Sequence, residues 1–247
     1  MQLPSTRTPV ARCLELAYYT SRMLSKFPER PALLELARRL GEGVETLDAA
    51  DKAYQAVRRE LIEARVDVGF ADHQSDRVIR RTHKQAEIED GQRGGRIVTQ
   101  VFPGGMAKIT RLVGNSQVAA MRKLEARLQS SQDIWPGASR ELVTVTASRL
   151  GYETALDNRQ AAAQKLHDLR TARDAARERF LDLYSEVVSR VKAEFPRNTS
   201  LQNLFFDDVY VRTTGEVESG NDNRDPAEPV ASGNGAAIPA NPTAASG

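Results

Sequence analysis

Cysteine, tryptophan and histidine are nearly missing from this chain, with one, one and three copies in 247 residues. Each scarcity excludes a class of function. A lone Cys13 allows neither an intrachain disulfide nor a thiolate metal cluster. His73, His83 and His167 form no Glu-x-x-His pair of the kind that holds iron in helical bundles, and no His-Glu-x-x-His zinc spacing. His83 and Glu87 are four residues apart, but two ligands on an arginine-rich turn make no site and read as an exposed pair. Phosphate-loop glycines are absent, Gly41-Glu42-Gly43 lacks the third glycine of a dinucleotide fingerprint, and Ser116 lacks a nucleophile elbow and reads as a helix cap. No apolar run approaches the ~18 residues of a membrane span, and Met1 to Val10 has no signal-like core. The expectation is a cytoplasmic protein with no membrane segment, no metal, no cofactor and no enzymatic activity.

Aromatics are also scarce at 6%, against 28% charged residues. That balance disfavours a β-sandwich and suits long amphipathic helices. The formal charge of +2 hides a split. From Glu216 onward there are five acidic residues (Glu216, Glu218, Asp222, Asp225, Glu228) against Arg224 alone, a net of −4 that leaves +6 on the body. A mildly basic body of this size permits nucleic acid as a partner without requiring it.

What is present is apolar periodicity. Thr8 is positioned to cap a first helix with Pro9 at its first turn, and Val10, Cys13, Leu14, Ala17, Ser21 and Leu24 form one stripe that ends before Pro28. A second stripe, from Leu33 through Leu40, Leu47, Tyr54, Leu61, Val68, Ser75 and Thr82, steps by three and four for about seven heptads. It predicts a helix from about Glu29 to Asp90, with a break possible at Gly41 and Gly43, where each glycine costs about 1 kcal/mol. A third long stripe, including Leu142, Val145, Tyr152, Leu156, Leu169, Phe180, Val187 and Val191, predicts a helix from Ser139 to Glu194. A shorter one (Val118, Met121, Leu124, Leu128) lies between them, and Trp135-Pro136-Gly137 marks a turn with the tryptophan packed beneath it. Packing the two long helices antiparallel buries both stripes, and the first helix adds to the bundle.

Between them, Ile97 to Phe102 and Lys108 to Val113 flank Pro103-Gly104-Gly105, which reads as a β-hairpin over about residues 95–113. Asp207 to Arg212 reads as a third strand able to pair with it. Phe27-Pro28, Phe102-Pro103 and Phe195-Pro196 each close an element, and proline as a stop accounts for each separately. The fold class is therefore all-α: an elongated antiparallel helical bundle over 1–214 with a small β-hairpin insertion, followed by a disordered acidic tail over 215–247 that has nothing to offset its ordering entropy.

Arg77, Arg80, Arg81 and Lys84 crowd the end of the first long helix, with Arg93 and Arg96 just beyond. The helix macrodipole alone favours such a cluster. The functional alternative is a phosphate-contacting tip, with Gly91 to Arg96 as a basic loop. Asp207-Asp208 carries little weight as a metal pair, because neighbouring residues on a strand face opposite ways. The leading expectation is a non-enzymatic scaffold or protein-interaction protein that binds a partner protein or a second copy of itself. The alternative is a nucleic-acid-associated protein using the Arg77–Arg96 region.

Overall fold

A computed structural model describes residues 3–208, and these contain helices and turns but no strand. The helices are α1 (Val10–Leu24), α2 (Pro31–Asp90), α3 (Arg96–Val101), α4 (Ala107–Thr110), α5 (Asn115–Ser130), α6 (Ala138–Glu194) and α7 (Thr199–Leu204). At ~1.5 Å per residue α2 is a rod of roughly 90 Å. It pairs with α6 in antiparallel fashion: Arg39 bonds Glu186, Lys165 bonds Glu60, Ser75 meets Ser148, and Thr82 bonds Glu141. As the α2 number rises, the α6 number falls.

The seam is buried in two stretches. At one end, Leu33, Leu40, Leu47 and Val44 of α2 meet Phe180, Tyr184, Val187 and Val191 of α6, with α1 and the Phe205-Phe206 pair closing the core. At the other end, Ile79 and Ala86 of α2 and Val145 of α6 pack with α3, Ile109 of α4, Met121, Leu124 and Leu128 of α5, and Trp135. Between them lies a neck where α2 and α6 are the two partners. Tyr54, Val57, Leu61 and Ala64 are buried on α2, whereas α6 buries no side chain between Leu156 and Ala176. Ala162, Leu166 and Leu169 are half-buried there. Among the described residues no helix is long and apolar enough to cross a membrane.

One expectation is corrected. Residues 95–113 form no hairpin; they hold α3 and α4. In the first run Ile97, Val98, Val101 and Phe102 are buried while Thr99 and Gln100 are exposed, a helical pattern and not an alternating one. Asp90 then starts α3 by accepting the Ile97 and Val98 N–H groups at 3.0 and 2.9 Å, meeting donors that a helix N-terminus leaves unpaired. Gly104 and Gly105 both have positive φ (92° and 83°), so the Pro-Gly-Gly segment turns one short helix into the next. The sequence left open a break at Gly41 and Gly43, and there α2 is unbroken. A methyl on Gly43 would lie 2.8 Å from Leu183 Cδ2, so the glycine lets α6 approach closely, and that packing offsets its poor propensity.

Smaller differences follow the same logic. Thr8 does not cap α1; its hydroxyl accepts the Ser5 N–H at 2.9 Å, and Pro9 is the residue before the helix. Ser116 lies inside α5 after Gly114. Phe102 and Phe195 end α3 and α6 in the same backbone conformation, φ near −120° and ψ near 62°, outside the α region that a following proline disfavours. Of the third strand, Asp207 and Asp208 are not in a strand, and the rest lies outside the described residues, as does the acidic tail.

Candidate functional site

The basic residues singled out from the sequence are distributed unevenly. Arg77, Arg80, Arg81 and Lys84 fall within about 100° of one another around α2, at 3.6 residues per turn, and all are exposed. Two of them are engaged: Arg80 Nη2 donates to Asp76 Oδ2 at 2.8 Å, and Arg81 lies 3.9 Å from Glu141. Arg77, Lys84, Arg93 and Arg96 have no ion-pair partner among the described residues. Lys84 and Arg93 line one shallow depression with Glu87, Ile88 and Gly91 at the α2–α3 turn. Arg96 begins α3 and is exposed. Beside this group His83 is not an exposed residue: its ring lies edge-on against Phe102 at 4.9 Å.

A polar junction where α5 meets the α2–α6 pair was not read from the sequence. The Tyr152 hydroxyl donates to Asp72 Oδ1 at 3.0 Å and accepts the Gly114 N–H at 2.7 Å. One turn along α2, Asp76 accepts from Arg80 and, at 3.0 Å, from Gln117 Nε2, with Ser75 and Ser148 paired between them. Burial pushes the Asp76 carboxyl above its ordinary value, with Arg80 opposing. Burial likewise raises the Tyr152 phenol. The only sequence signal was Ser75 and Tyr152 at seam positions. Because Tyr152 and Asp76 spend their hydrogen bonds on partners from α2, α5 and the residue before α5, the junction sets the register of α5 and leaves both groups engaged within the fold.

Other groups are similarly committed. Asp207 accepts from Arg12 at 3.0 Å, and the Asp208 carbonyl accepts from the same guanidinium. Cys13 is buried in the first core, and burial raises its thiol. Among the described residues no group of three or more His, Cys, Asp or Glu converges on a point.

The outer face of α2 along the neck contains three large apolar side chains in the open: Ile62, Val66 and Phe70, at 54%, 66% and 63% exposure. Spaced by four residues, they form one stripe, with Val66 about 200° around the axis from the buried Ala64. The corresponding span of α6 has no exposed large apolar side chain. No family model, curated protein sequence or solved structure matches this chain.

Proposed function

We propose that the protein is a non-enzymatic helical scaffold that works by binding another protein. The observation that supports this most directly is the Ile62–Val66–Phe70 stripe, on the face of α2 turned away from its seam. Exposed apolar residues grouped in one patch mark interaction surfaces more often than scattered ones do. The partner is a second protein or a further copy of the chain. Cross-linking mass spectrometry on the full chain in its native extract tests the reading. Stoichiometric links from Lys52 or Lys84 on α2 to a defined protein are expected. A chain that stays monomeric at high concentration and links to nothing above background would refute it.

The unpaired Arg77, Lys84, Arg93 and Arg96 support a second reading, a nucleic-acid contact at the α2–α3 end. It predicts binding to duplex DNA or RNA that weakens steeply with salt and drops when Arg93 and Arg96 become glutamine. Failure to bind heparin or DNA at low salt would remove it.

A further inference from the structure

We propose that Asp76 and Gln117 form a proton-operated latch between α2 and α5, in which a proton taken up by Asp76 closes a two-bond ring with the Gln117 amide and releases Arg80. The inference goes beyond both readings above and depends on neither. It starts from an acceptor without a donor. Gln117 is completely buried in the first turn of α5. Its Nε2 donates to Asp76 Oδ1 at 3.0 Å, but its Oε1 accepts from no described residue. A buried acceptor in that state destabilises the fold that holds it.

The charge on Asp76 explains why the amide stands this way round. Turned over, it would set Oε1 against a carboxylate, two acceptors with no hydrogen between them. The ionised carboxylate therefore holds Nε2 toward α2 and leaves Oε1 unserved. The Tyr152 hydroxyl cannot serve it, because its one proton goes to Asp72. A proton from solvent changes the inventory. A carboxylic acid is donor and acceptor at once, and a primary amide carries the complementary pair on one carbon. With the Nε2–H bond to Oδ1 kept, a proton on Oδ2 is donated to Oε1, and two hydrogen bonds join the planar groups.

Oδ2 is the oxygen to which Arg80 donates at 2.8 Å in the ionised state. Arg80 is half-exposed, so its guanidinium turns out to water when that oxygen takes the proton. Low pH thus ties the first turn of α5 more firmly to α2 and adds a free cation beside Arg77 and Lys84. High pH reverses both. Burial of Asp76 works in the same direction and is the largest influence on it, while on α2 Arg80 and His73 favour the carboxylate and Asp72 opposes it. From α5 the junction receives Gln117, and from α6 it receives Tyr152, tied to Asp72, and Ser148, tied to Ser75.

The test is carbon-13 NMR on the full chain, following the Asp76 carboxyl through a pH titration in wild type and in Gln117→Met. Methionine keeps the length of the side chain and removes both amide groups. The latch predicts that Asp76 titrates about 0.5–1 pH unit lower in the variant, roughly the worth of one hydrogen bond lost from the acid form. If Gln117 serves only as a donor to the carboxylate, its removal moves the titration the other way. In the wild type the Gln117 side-chain carbonyl carbon reads the same event without a substitution. It should move downfield as Asp76 takes up its proton, because Oε1 then accepts. A His73→Gln background keeps the histidine's own titration out of both curves. A titration that moves to higher pH or stays in place in Gln117→Met, or a Gln117 carbonyl signal that moves upfield or not at all, would overturn the proposal. Should Gln117→Met not fold, the wild-type carbonyl signal alone decides.

Discussion

Removing one oxygen at Tyr152 should loosen the attachment of α5. In Tyr152→Phe the ring keeps its place in the seam between Val118 and Leu156, but the Gly114 N–H and the Asp72 carboxylate each lose a partner. Leaving a half-buried donor unpaired costs about 1–3 kcal/mol, and the lower half of that range applies because Gly114 is partly open to water. For a chain of this size 1 kcal/mol moves the midpoint by about 2–4 °C, so a fall of roughly 3–6 °C is expected. Tyr18→Phe is the control, since Tyr18 is 67% exposed, and should change stability by less than about 0.5 kcal/mol. Urea unfolding gives the size of the effect, and hydrogen exchange gives its place: the Gly114 amide and the first turn of α5 should lose protection. If Tyr152→Phe unfolds at the same urea concentration as Tyr18→Phe, or loses stability with the Gly114 amide unchanged, the junction does not hold α5 as described.

Three further outcomes are expected. Asp90→Ala removes the acceptor of the Ile97 and Val98 amides; it should cost about 0.5–2 kcal/mol and expose those amides to exchange, a dependence a β-hairpin would not show. Asp76, raised by burial above its unfolded value of 3.8, binds a proton more readily folded than unfolded. Stability therefore falls as pH rises from near the unfolded value through the folded one, and in urea titrations across that window Asp76→Asn should flatten the slope. Gly41→Ala should raise stability by up to about 1 kcal/mol, because a methyl there meets nothing within 4 Å; thermal unfolding should show Gly43→Ala gaining less, its methyl meeting Leu183.

Long periodic segments were readable because their signal is repeated many times. Every seven residues restates the same buried face, so α2 and α6 emerged with ends within about two residues, the usual uncertainty of a helix boundary. Short elements offer no such repetition. Ile97 to Phe102 contains β-branched residues next to glycine and proline, which favours a strand on composition, and only the position of Asp90 decides for a helix. The Asp90 carboxylate acts across seven and eight residues through a turn, and local patterning does not register that distance. The Gly43 contact is non-local in the same way, since its explanation, Leu183, lies 140 positions on. At the candidate site the arginines were visible as letters, but whether each was free was not. Arg80 and Arg77 look alike in sequence, and only Asp76 separates them. Ile62, Val66 and Phe70 were hidden because the neighbouring seam residues Leu61, Ala64 and Val68 dominate the period.

The pairing state of the arginines also decides where along α2 a partner gains most. An acidic group meeting Arg80 or Arg81 competes with Asp76 or Glu141, so the new ion pair replaces an old one and the net change is small. Arg59 and Arg77 have no ion-pair partner among the described residues to give up. With Glu63 and Asp67 they keep charge and water around an apolar stripe that would otherwise favour aggregation. Two further features make the neck suited to such a contact. A core at each end fixes α2 as one continuous helix, so little backbone ordering is needed on binding. And because α5 meets α2 only from about Val68 onward, through Val118 and Gln117, the outer face at Ile62 and Val66 is open without any element having to move. Binding free energy should therefore come chiefly from covering Ile62, Val66 and Phe70, and the positive cluster at the α2–α3 end should contribute chiefly to the rate of encounter.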